Sequence, residues 1–327
     1  MSGSIARRHV LALCISASTA RHARARDYPD RPLRIVVPYQ PGGPSDVLAR
    51  TFADHLAQRF DQTVLVENKV GASGILGTDA VAKAAPDGRT LLVTLGSSIL
   101  ANPFLYRTLP YDPQKELALV SQLAAAPIIL NVHPSLPVDT VPGFLAYAAA
   151  RRGTLAFGSY GVGSHGHLAC AQIDRAVGGG MVHVAYKGEA AMLHDLVSGQ
   201  VQWAFASALS ARPHADAGRL RMIGIVGPQR LGGLPAVPTL AEQGLLDEVF
   251  QVVGIIGMAA PAGTPQHILD KLATQVQDIG RQPVVRARME ALGLHAVVEG
   301  PAAFKATYQH SLPIWRKMVQ DSGARLD

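Results

Sequence analysis

Cysteine is almost missing from this chain: 327 residues contain two, Cys14 and Cys170. Cys170 is the only one beyond the first 26 residues, so no disulfide framework holds the body of the protein together, and on an apolar helix face it reads as a small core residue. Long hydrophobic runs are also missing. None reaches the ~18 residues of a membrane span. A basic stripe interleaved with aromatics is absent too, although the net charge is +6. Of the 30 basic residues, five arginines (Arg7, Arg8, Arg21, Arg24, Arg26) precede Asp27 with no acid among them, leaving 25 against 24 acidic residues. The body is therefore nearly neutral, which excludes a nucleic-acid surface. No serine has the two flanking glycines of a GxSxG elbow, so a serine hydrolase has no support.

What is present is a globular composition, 48% hydrophobic and 17% charged, in a chain long enough for two lobes. Arg7 and Arg8 followed by VLALCISASTA, with ARA at Ala23 to Ala25, read as an export signal over residues 1–26, the alternative being a disordered cytosolic tail. Cys14 follows Leu11 at lipobox spacing, but Leu13 fills the small-residue position and excludes a lipoprotein anchor.

The organising stretch runs from Leu33 to Phe60. Ile35, Val36 and Val37 form an apolar β-branched run, as in a strand covered on both faces. Pro41, Gly42, Gly43 and Pro44 break it. Ser45 then stands at the N-cap position and Asp46 in the first turn, ahead of Val47, Leu48, Phe52, Leu56 and Phe60 at helical spacing. A glycine loop at a helix N-terminus makes a neutral pocket for an anion; the same stretch also serves as a plain strand-to-helix turn.

Strands at Val64–Val66 and Thr90–Leu95, with a helix over Ile75–Ala85 after the loop Gly71–Gly74, complete a β-α-β-α-β unit. Asn102 to Leu117 holds three prolines and reads as a surface wrap. A second α/β block follows, with strands after Pro127 and at Leu155–Phe157, Val182–Ala185, Val201–Phe205 and Met222–Val226. Helices start at Thr140, within GSYGVGSHGH and at Glu189. After an apolar strand near Val252–Met258, the helices Pro265–Gly280, Pro283–Leu292 and Pro301–Ser322 have one short strand among them, around Ala296–Val298. They are predicted to return to the first lobe. This gives lobe 1 as residues 27–125 with 253–327, and lobe 2 as 126–252.

Gly161, Gly163 and Gly166 spell GxGxxG between a strand and a helix, with Glu189 about twenty residues on. The alternative function, a nucleotide-dependent enzyme, rests on that motif. The same geometry binds a carboxylate. His165 and His167, with His183 and His194 beyond, suggest a metal site, but two apart on a helix they point about 200° away from each other at ~100° per residue, so they cannot share one ion. His167 reads as a ligand donor or as a helix-start histidine bonded to backbone. Lys187 and Glu189 read either as side chains reaching the cleft or as a solvated loop pair.

Taken in order, VVPYQPGGPSD, ENKVGASGILGTDAVAKAAPDG, NPFLYRTLPYDP, FGSYGVGSHGHLA, VAYKGEAAMLHDLVSGQV, RLRMIGIVG, VPTLAEQG and APAGTP resemble the solute-binding receptors of tripartite tricarboxylate transporters, the Bug receptors. The resemblance covers nearly everything after Tyr28. It implies an α/β, type II-like periplasmic-binding-protein fold. Each lobe would be a mainly parallel sheet flanked by helices, with a small organic carboxylate in the cleft and neither catalysis nor cofactor. By motif it implies ligand contacts from Gly42, Gly43, Ser45, Asp46, Ser97 and Ser98 in lobe 1, and from Ser159, Gly163, Ser164 and His167 in lobe 2. Ser207 takes the place of an aspartate common in the family, which disfavours a ligand ammonium, and Ile255 takes that of a tryptophan. The implied setting is a periplasmic monomer delivering its ligand to membrane transporter subunits or a sensor kinase.

Overall fold

The computed structural model describes residues 28–326; the expected export signal lies outside them. The chain runs through β1 (Leu33–Val37), α1 (Pro44–Phe60), β2 (Val64–Asn68), α2 (Ile75–Ala82), β3 (Thr90–Leu95), a π-helical turn at Ser97–Ala101, α3 (Asn102–Leu105), α4 (Pro113–Glu116) and β4 (Leu117–Ala126). Next come β5 (Ile128–Val132), α5 (Val141–Ala150), β6 (Ala156–Ser159), α6 (His165–Ala176), β7 (Val182–Ala185), α7 (Glu189–Val197), β8 (Trp203–Ser207), α8 (Ala208–Asp216) and β9 (Arg221–Ile225). It ends with β10 (Gly254–Pro261), α9 (Gln266–Gly280), α10 (Pro283–Ala291), β11 (His295–Glu299) and α11 (Pro301–Ser322).

Two sheets result, ordered β11-β4-β10-β3-β1-β2 and β7-β6-β8-β5-β9. Both are mixed rather than mainly parallel. β1 is parallel to β2 and β3, and β6 to β7 and β8. The strands that carry the chain between sheets enter antiparallel: β10 against β3 and β4, β5 against β8 and β9. The expected parallel order fails there because a strand that crosses from one sheet to the other joins its neighbours from the opposite end. The crossing is tight. β4 ends at Ala126 and β5 begins at Ile128, so Pro127 alone separates them, and Gly254 of the returning strand pairs with Ala126.

β4 has no counterpart among the strands expected from sequence. Its LALVSQLAAA has a single β-branched residue, Val120, and no alternation, yet seven of its ten residues are buried. Burial on both faces supplied what propensity did not. α8 is likewise unheralded by its residues. The Asn102–Leu117 stretch is no surface wrap: Asn102, Leu105, Tyr111, Pro113 and Leu117 are buried. α1 starts one residue before the expected cap, with Gly43 at the N-cap, Pro44 in the first helical position and Ser45 buried inside. Proline has no N–H to leave unpaired there.

The first sheet's core packs Ile35, Val37, Leu91 and Val93 against Leu48 and Phe52 of α1 and Leu272 and Val276 of α9. α11 reaches both halves. It packs on β4 and the π-turn, where the Tyr308 hydroxyl donates to the Ile99 carbonyl at 3.0 Å, and on α6, where Trp315 meets His165 at 5.1 Å between ring centroids.

Candidate functional site

Ligands of open α/β sheets sit outside the carboxyl ends of parallel strands, where loops lead into helix N-termini. In the first sheet those ends carry Pro38–Gly43, Lys69–Gly74 and Gly96–Ser98. The Tyr39 hydroxyl ties them together, lying 3.1 Å from Ser97 Oγ and 2.5 Å from Ser98 Oγ. Thr94 Oγ1 donates to Ser98 Oγ at 3.1 Å, and the Tyr111 hydroxyl donates to the Ser98 carbonyl at 2.7 Å. Gly74 closes over this cluster: a Cβ there would lie 2.5 Å from Ser98 Oγ. Ser98 is fully buried, so its hydroxyl holds the loops and Ser97 is the more accessible of the pair.

Asp46 also serves the loop. Its Oδ2 accepts from the Gly42 amide at 2.9 Å and from Arg50 Nε at 3.2 Å, and its Oδ1 accepts from Asn68 Nδ2 at 2.8 Å. Burial opposes the charge, but the bonds from Gly42, Arg50 and Asn68 outweigh it and hold the carboxyl below its usual range. The Gly42 N–H is thereby used. The amides of Gly43, Ser45 and Asp46 have no acceptor among the described residues, and they form the donor set at this helix start. The space beside Gly43 is open: a Cβ there would meet only Gln40 O within 4 Å, at 3.8 Å.

In the second sheet, β6, β7 and β8 end at the starts of α6, α7 and α8. Ser164 caps α6, its Oγ accepting from the His167 amide at 3.2 Å. His167 Nδ1 accepts from the Gly163 amide at 3.1 Å, which assigns the ring proton to Nε2. Burial, followed by the neighbouring His183, pulls the His167 pKa down to about 4. The neutral ring therefore presents an N–H donor. It stacks on His183 at 4.1 Å, and His183 Nε2 sits 2.7 Å from Ser159 Oγ. Ser159, fully buried, thus orients the stack from behind.

The GxGxxG geometry is not free for a pyrophosphate. Gly166 N–H donates to the Tyr160 hydroxyl at 2.9 Å, Gly163 N–H is used by His167, and a Cβ at Gly166 would lie 2.6 Å from the Tyr160 ring. Glu189, the acid the ribose would need, is turned to Ser207: Oε1 accepts from the Ser207 amide at 2.6 Å and Oε2 from its hydroxyl at 2.7 Å. Among the described residues it forms no ion pair with Lys187, so the solvated-pair reading does not hold. The two hydrogen bonds from Ser207 hold it at the start of α8 instead. His165 faces Trp315 and His167 faces His183, so their rings do part company as their helical spacing requires.

The two loop sets meet. Gly163 lies against Leu105, where a Cβ would come 2.1 Å from Leu105 Cδ2. Burial, and after it the charge of Glu189, raises the Tyr160 hydroxyl. Ile255 is buried beside Gly96, 3.6 Å from its Cβ direction, forming the floor near the crossing. Tyr39, Tyr160 and His183 join the site without having been expected there as ligand contacts from sequence, and Glu189 joins it as one of its two readings allowed. Aromatics inside glycine loops were the available signal. Surface cavities of about 360 and 540 Å³ lie elsewhere, beside Arg175 and Asp321 and beside Tyr106 and Leu326. The candidate site rests on converging loops, not on those volumes.

Residues 48–323 match the family described as tripartite tricarboxylate transporter family receptor. The chain belongs to that receptor family. BugT of Bordetella pertussis is 32% identical over 312 residues, covering 95% of each chain. An R. palustris protein solved with adipate superposes with a TM-score of 0.84 at 30% identity, over 92% of this chain and 100% of its own. MatC from Rhodopseudomonas palustris, solved with bound malate, gives 0.79 at 31% identity, over 89% and 100%. The receptor thus has the two-lobed α/β fold of periplasmic binding proteins.

Proposed function

We propose that this receptor is extracytoplasmic, that it captures a small organic carboxylate in the cleft, and that it passes the ligand to the membrane subunits of a tripartite tricarboxylate-type transporter or to a sensor kinase. It acts as a periplasmic monomer, without a catalytic step, with residues 27–125 and 253–327 closing as one lobe on 126–252. The observation that supports the reading is a pair of helix starts, each at the carboxyl ends of parallel strands and each rich in unpaired donors. The amides of Gly43, Ser45 and Asp46 belong to one half, and His167 Nε2 with the amides of Val162 and His165 to the other. Donors without cations suit a carboxylate held by peptide N–H groups and bridging water. Adipate and malate in relatives of about 30% identity support the ligand class. No helix among the described residues is long and apolar enough to cross a membrane.

A panel of mono- and dicarboxylates should raise the thermal midpoint of the purified protein, with mass spectrometry of natively purified protein naming any retained ligand. A response confined to NAD or ATP would replace this reading with the nucleotide-dependent one.

A further inference from the structure

Glu189 is the first residue of α7, and its carboxylate reaches across to the first turn of α8. There Ser207 is the N-cap, its Oγ also accepting from the Ser210 amide at 3.3 Å. Two helix starts stabilise the negative charge. Every partner is neutral: among the described residues no lysine, arginine or histidine pairs with Glu189, and it is half-buried. Each oxygen takes one hydrogen bond from Ser207 and retains a further lone pair. The charge stands at the carboxyl ends of the parallel strands: α7 follows β7, Ser207 ends β8, and β6, which leads to α6, lies between those two strands. The wall expected to lack a carboxylate because of Ser207 therefore has one, supplied from the neighbouring helix.

The cleft is polarised as a result. Donors collect at the starts of α1 and α6, and an unneutralised acceptor stands at α7. We propose that Glu189 sets the ligand class: a carboxylate bearing an ammonium group at its other end, which meets Glu189, in preference to a dicarboxylate. A second carboxylate would be brought beside a like charge in a partly desolvated wall, where repulsion is far stronger than in water. The inference rests on the carboxylate-receptor reading and narrows it.

Two matched series test it by calorimetry on the full mature protein: succinate, 4-aminobutyrate and butyrate, then adipate, 6-aminohexanoate and hexanoate. In the series whose length fits, the amino acid should bind at least about tenfold more tightly than the diacid, about 1.4 kcal/mol. Glu189→Gln, of nearly the same shape, should abolish that preference, and an unchanged circular-dichroism spectrum with a cooperative thermal transition shows that the variant is folded. A diacid preferred by the native protein, or a preference unmoved by Glu189→Gln, overturns the role of Glu189 and leaves the carboxylate reading standing. Binding of none of the six overturns the carboxylate reading itself.

Discussion

Gly163 and Leu105 touch across the two halves of the molecule, and only a residue without a side chain fits between them. A Cβ at Gly163 would lie 2.1 Å from Leu105 Cδ2, and its φ of +76° is one that other residues rarely adopt. Gly163→Ala should cost about 1–3 kcal/mol from overpacking and strain and hold the lobes apart. Denaturant unfolding and ligand titration check this; full stability with native affinity would show that the contact is not part of the closed state.

Gly43 offers the opposite experiment. Its φ is −76° and a Cβ there would meet only Gln40 O, at 3.8 Å. Gly43→Val should therefore leave the thermal midpoint nearly unchanged while filling the approach to the α1 donors and abolishing the ligand-induced shift. Unchanged affinity would remove this loop from the site.

Asp46 is predicted to matter through the loop it holds. Asp46→Asn leaves Gly42 and Arg50 donors facing an amide, a loss of about 1.5–3 kcal/mol for hydrogen bonds to a charged group. Because the carboxyl is held below its usual value, its contribution is complete above the unfolded pKa near 4 and is lost as pH falls through the lower folded value. The variant should show a smaller loss of stability at acid pH than the native protein in the same chemical-denaturation series.

His165 and His167 set a second acid limb at higher pH. Burial brings both to about 4 from 6.5, and neither nitrogen of His165 has a hydrogen-bond partner among the described residues. The unfolded chain takes up these protons first, so stability is complete above about pH 6.5 and declines toward pH 4, by up to about 3 kcal/mol per ring. His165→Leu should flatten thermal midpoint against pH over that window. An equally steep limb in the variant would assign the effect to other groups.

What could be read along the chain is what is encoded locally. Ile35–Val37 and Thr90–Leu95 announce strands by β-branching, Gly42–Pro44 and Gly161–Ser164 announce the loops, and the order of these blocks announces the family, because each depends on neighbours a few residues away. What depends on distant partners was hidden. β4 is an alanine-rich strand only because β10 and β11 flank it. Ser98 and Ser159 turn inward because Tyr39 and His183 arrive from elsewhere in the chain.

The sequence by itself therefore determined where helices begin with unpaired amides, since that follows from a strand, a glycine loop and an apolar periodicity. Folding in three dimensions settled which of those amides remain unpaired and which partner the Glu189 carboxylate takes. Asp46 consumed the Gly42 N–H four residues away, and Glu189 found Ser207 eighteen residues away. Hydrogen bonds and burial are settled by proximity in space, which residue order alone does not specify.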